Sequence, residues 1–159
     1  MRPTIPLSDW RLAVDLDATK SVGRQTGHPA DGCACDQCAR WRIASVSAFP
    51  AAIHGQLSRL GVDLQRPTDL YVTDESEEAI GFRVMYHIAG KIISWPAAWH
   101  ESEHEDFGTM HYYKVVRTTP YVSLRVTTAK NSYAFSPSAP SGSTSDILCL
   151  DFRLSVARH

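Results

Sequence analysis

The 159-residue chain predicts an α+β fold: an antiparallel sheet of five or six strands with two short helices packed on one face. Two observations carry that expectation. Apolar side chains alternate with polar ones in several separated segments, which is the period of a half-buried strand. Helical periodicity is confined to one stretch, residues 36 to 61, where Trp41, Ile43, Val46, Phe49, Ile53, Leu57 and Leu60 recur at spacings that fit one helix face.

Taken in order, Trp10, Leu12, Val14 and Leu16 alternate with Arg11, Ala13, Asp15 and Asp17 and predict a first strand. Gly23 to Gly32 reads as a loop. Pro50 interrupts the helical stretch, because proline lacks an amide hydrogen and restricts the residue before it. The expectation is therefore two helices, 36 to 47 and 50 to 60, the second ending at Gly61. Between Ile80 and Ile92 the even positions Phe82, Val84, Tyr86, Ile88 and Ile92 are apolar, while Arg83, His87 and Lys91 occupy the other register. On that pattern, Val84→Asp should disrupt folding far more than Arg83→Asp. Met110 to Arg117 and Tyr121 to Thr128 flank Thr118-Thr119-Pro120 and predict a hairpin. Lys130 to Ser145 is rich in serine, proline and glycine and reads as a loop, and Leu148, Leu150, Phe152 and Leu154 predict a closing strand. A single domain over 1 to 159 is expected, a length at which a core forms without metal or disulfide support.

Sixteen basic and 17 acidic residues leave a formal charge of -1, which is no footprint for nucleic acid or an anionic membrane. No run approaches the roughly 18 apolar residues of a membrane span, and Met1 to Pro6 lacks the pattern of a secretion signal. A cytoplasmic location and a protein partner are the expectations.

Three of the four cysteines crowd into Cys33-Ala34-Cys35-Asp36-Gln37-Cys38 at a predicted helix start, where free amides and the helix dipole favour a thiolate. Three soft ligands within six residues, with His28 as the fourth, suit zinc. The alternatives are a thiol redox pair, Cys35 and Cys38, and a tight turn of buried thiols. Cys149, alone in a strand, reads as a core residue. His100-Glu101-Ser102-Glu103-His104 matches H-E-x-x-H, the pattern of a zinc-dependent hydrolase on a helix. Glu103, Glu105 and Asp106 crowd it with charge, and Gly108 and His111 come one residue too late for the longer three-histidine pattern, so an exposed loop or single helical turn is expected instead. His87 lies on the less apolar register of its strand, where it can face a groove.

The chain resembles a loosely defined group of small, uncharacterised bacterial proteins. The resemblance rests on Gly32 to Cys38, on Leu60-Gly61-Val62-Asp63 followed by Pro67 and Tyr71, on Tyr86-His87-Ile88-Ala89-Gly90 and on Leu150-Asp151-Phe152. Members carry an asparagine and an aromatic residue after the third cysteine, where this chain has Ala39, Arg40 and Trp41. The resemblance implies no activity. The leading expectation is a non-catalytic binding or regulatory module, accessory or immunity-like, with a cysteine turn able to bind zinc; the alternatives are the hydrolase and the redox protein.

Overall fold

The computed structural model describes residues 2–106, 108–116, 122–128, 137–140 and 142–158. Its elements run β1 (Thr4–Leu7), β2 (Trp10–Val14), α1 (Leu16–Arg24), α2 (Asp36–Ala44), α3 (Ala51–Arg59), β3 (Asp69–Glu75), β4 (Ala79–Ser94), β5 (His100–His104), β6 (Gly108–Val116), β7 (Val122–Thr128) and β8 (Asp146–Ala157). The class is α+β, as expected. The sheet is larger than five or six strands: among the described residues eight are joined in the order β1-β2-β4-β8-β7-β6-β5, with β3 also on β4. The additional strands are β1, β3 and β5, which are short or largely exposed and so lack a strong alternating signal.

β4 is the axis of the sheet. Its one edge pairs with β8 without a break from Ala79↔Ala157 to Gly90↔Asp146. Its other edge is shared, β3 pairing with Ile80 to Met85 and β2 with Gly90 to Ser94. At Gly90 the two strands approach so closely that a Cβ would lie 2.3 Å from the Ala13 carbonyl oxygen, which requires glycine there.

Among the described residues three helices accompany the sheet, where two were expected. The alternation through Leu16 is broken at Asp15, whose carboxylate accepts from the Ala18 amide at 2.9 Å and caps α1. Leu16 is thus the first residue of a helix and not the last of a strand. Pro50 does separate two helices, and α3 ends in a Schellman turn: Gly61 has φ 81°, its amide donates to Ser58 and the Val62 amide to Leu57. Trp41 and Phe49 meet Phe82 and Phe152 edge-on, at 5.2 and 4.9 Å between ring centres, so the segment holding α2 and the Pro50 turn lies over the even register of β4 and β8. β6 and β7 pair antiparallel as the expected hairpin, whose Thr118-Thr119-Pro120 turn lies outside the described residues, as do residues 130–136 and 141 of the 130 to 145 loop. Among the described residues no helix is long and apolar enough to cross a membrane.

The odd register of β4 corrects a second expectation. Arg83, Met85, His87 and Ala89 are all buried. Arg83 makes a two-pronged ion pair with Asp151 of β8, Nε to Oδ1 at 3.0 Å and Nη2 to Oδ2 at 2.6 Å, and its Nη1 donates to the Tyr71 hydroxyl. Arg83→Asp would place two carboxylates in that buried site, so it should unfold the protein about as readily as Val84→Asp. Arg83→Met alone should cost about 3–5 kcal/mol in urea unfolding, because Asp151 keeps its charge without this partner, whereas Arg83→Met with Asp151→Leu should recover most of the loss. Losses that simply add in the double variant would contradict a coupled buried pair.

Candidate metal centre and the adjoining cavity

The cysteine turn is held between the 25–35 loop and α2. Cys33 donates its amide to Ala30 and its carbonyl accepts from Arg42 Nη1 at 3.1 Å, while Cys35 occupies the N-cap of α2. The Sγ atoms of Cys33, Cys35 and Cys38 all lie within 4.8 Å of one another, and those of Cys33 and Cys35 are 3.1 Å apart. Thiolates bound to one zinc at about 2.3 Å in a tetrahedron stand about 3.8 Å apart, so small side-chain adjustments bring the three onto a common ion. The three cysteines can hold a metal.

Their protonation is graded. Hydrogen bonding from the Cys33 thiol, with further bonds from the Cys38 and Gln37 amides at the helix start, brings the exposed Cys35 down to about 7. Cys38 is pushed up to about 12, first by burial and then by its sulfur neighbours. Cys35 is therefore the anionic, reachable thiol, and Cys38 the protonated, buried one until a cation replaces its proton.

His28, expected as the fourth ligand, is not one of the clustered groups. Its ring is buried and lines a different feature, a cavity of about 460 Å³ that it shares with His87. The cavity opens where β2 and β3 part along β4. The Asp15 amide donates to Ala89 and the Thr68 amide to Met85, and among the described residues no strand pairs with Tyr86 to Ile88 on that edge. His87 was expected at a groove and lines this one. Its Nδ1 is 2.6 Å from the Thr68 hydroxyl, which also donates to the Met85 carbonyl at 2.9 Å. A hydroxyl has one proton; when it goes to Met85, both contacts are satisfied only if His87 Nδ1–H donates to Thr68. Nε2 then carries a lone pair, and no described group hydrogen-bonds to it. Burial, with the nearby His28 ring second, brings His87 down to about 4.

The H-E-x-x-H segment forms strand β5, paired with β6, and not a helical turn or loop. On a strand His100 and His104 are about 13 Å apart, and Glu101 points to the opposite face. Glu101 instead contacts His111 at 3.2 Å and Glu103 accepts from Thr109 at 2.8 Å. The strand does not bring the two histidines to one ion. Cys149 is fully buried in β8, as expected of a core residue. Sequence reasoning missed Asp31, Arg66 and Thr68 as cavity residues; Pro67 before Thr68 marks a turn, but nothing local to it points to His87, which is brought there by chain crossing.

Comparison of the chain with protein-family models, curated proteins and solved structures finds no match.

Alkylation of metal-free, reduced protein should modify Cys35 first, with a rate midpoint near pH 7, while Cys38 stays unreactive until the fold opens. Peptide mapping after iodoacetamide pulses reads this directly, and a Cys35 midpoint near the ordinary thiol range would contradict the hydrogen-bonded arrangement. For His87 the unfolded imidazole takes its proton near 6.5 and the folded one near 4. Stability present above pH 6.5 should therefore fall as the pH drops towards 4, by up to about 3 kcal/mol from this residue. Denaturation of His87→Gln across that window should show a shallower acid slope; an unchanged slope would mean that His87 protonates freely in the fold.

Proposed function

We propose that the protein is a non-catalytic binding or regulatory module of bacterial type, accessory or immunity-like, in which zinc held by Cys33, Cys35 and Cys38 braces the 25–35 loop against α2. The observation that carries this reading is the convergence of three sulfurs within 4.8 Å at a helix start. Structural zinc takes four ligands; His28 is not among the converging groups, and this reading gives the fourth position to water or to a residue of a protein partner. A near-neutral chain favours a protein over a nucleic acid as that partner. A reducing, cytoplasmic setting, in which the thiols remain available, belongs to the same reading, as does kinship with the group of bacterial proteins that share the cysteine turn.

A second reading is favoured by one specific observation: an exposed thiol near pKa 7 with another sulfur 3.1 Å away suits exchange with a disulfide. Titration of reduced protein with cobalt(II) separates the two. The zinc reading expects one equivalent bound with thiolate charge-transfer bands and a tetrahedral d–d pattern, an affinity at least about tenfold lower in Cys35→Ser, and bands unchanged in His28→Ala. Absence of the bands, together with a reversible intramolecular disulfide on mild oxidation, would replace the zinc reading with the redox one.

A further inference from the structure

The cavity beside the cysteine turn has three properties that no structural role of its residues requires. It measures about 460 Å³, a volume typical of small-molecule sites. At its strand wall stands His87, 5% exposed, with Nε2 unmatched by any described donor. Around it lie four basic side chains, Lys20, Arg24, Arg42 and Arg66, against two carboxylates, Asp31 and Asp63. Asp31 is already engaged, accepting from the Gly27 amide at 3.1 Å and facing Arg66 at 3.6 Å. With Arg66 facing Asp31 and Arg42 Nη1 on the Cys33 carbonyl, the lining still carries two more basic than acidic residues.

We infer that this cavity binds a small organic anion that carries a hydroxyl group, the hydroxyl donating to His87 Nε2 and the anionic end meeting Arg66 and its basic neighbours. A bare metal ion fits less well: among the described residues the thiols are the one group of three metal-ligating side chains that converge, so His28 and His87 lack a third ligand. An anion without a donor would leave Nε2 facing a negative group, with its lone pair unmatched. Thr68 acts as the positioning residue, because its hydroxyl fixes the His87 ring through Nδ1 and thereby sets Nε2 as the acceptor. Hydroxycarboxylates and phosphorylated polyols share the required chemistry. The thiol cluster takes no part, so the inference stands or falls separately from the zinc reading.

The test uses the full chain, with imidazole nitrogens followed by long-range proton–nitrogen NMR during titration with L-malate, glycerol 3-phosphate and succinate. Malate or glycerol 3-phosphate should shift His87 Nε2 saturably, with a Kd of about 1 mM or tighter, and succinate should bind at least about tenfold more weakly. Malate as the stronger ligand assigns the anionic end as carboxylate, and glycerol 3-phosphate as the stronger assigns it as phosphate. Arg66→Gln, a substitution at a half-exposed side chain, should weaken the better ligand several-fold while the His87 signals of the free protein stay in place. Cys35→Ser should leave binding intact. The inference is overturned if neither hydroxylated anion shifts His87, if succinate binds as well as malate, or if Arg66→Gln binds the better ligand unchanged.

Discussion

The twelve-position pairing of β4 with β8 is the constraint on which the rest of the molecule depends. One edge of β4 is fully committed, and the opposite edge is divided between two strands, both antiparallel to it, β2 ending at Gly90 and β3 beginning at Met85. Two strands cannot meet end to end on a third without a gap. Here the gap falls at Tyr86 to Ile88, and Asp15 and Thr68 seal its two ends by donating to the Ala89 and Met85 carbonyls. The cavity is thus a consequence of topology, and His87 lines it because it lies at the centre of the gap.

Both chemical features grow from the same short segment. The 25–35 loop gives His28 and Asp31 to the cavity and Cys33 to the thiol cluster, while Arg42 of α2 lines the cavity and grips the Cys33 carbonyl. Trp41 anchors this part of α2 from below: its indole donates to the Leu64 carbonyl at 2.9 Å and its ring meets Phe82. The Tyr86 hydroxyl donates to the same carbonyl at 2.6 Å. Leu64 therefore ties the segment leading to the cavity rim to both the helix and the central strand. Buried aromatic groups with satisfied polar tips are well suited to hold two otherwise irregular loops in place.

Much of the frame was legible in the sequence, and the reasons are local. The even register of residues 82 to 92, the Pro50 break, the Gly61 stop and the closing strand each follow from side-chain period or backbone restriction, which nearby residues determine. What was not legible depends on distant partners. Arg83 looked like a solvated residue because nothing near it in sequence reveals Asp151, 68 positions away. Asp15 continued an apolar alternation on paper, yet its short carboxylate caps a helix. The H-E-x-x-H segment was expected as an exposed loop or single helical turn, and it pairs instead as a strand with Gly108 to Tyr112, a partner its own sequence does not reveal. At the cysteine turn the three sulfurs converge as their spacing suggested, whereas His28, whose carbonyl accepts from the Asp31 amide, lines the cavity.

The central claim is that three thiolates of one turn share a metal with a fourth position left to a lighter ligand. Zinc K-edge X-ray absorption on untagged protein purified without added chelator addresses it most directly. The account predicts stoichiometric zinc with three sulfur scatterers at about 2.3 Å and one nitrogen or oxygen near 2.0 Å. A first shell made only of nitrogen and oxygen, or protein that holds no zinc after incubation with an equivalent of the ion under reducing conditions, would contradict it.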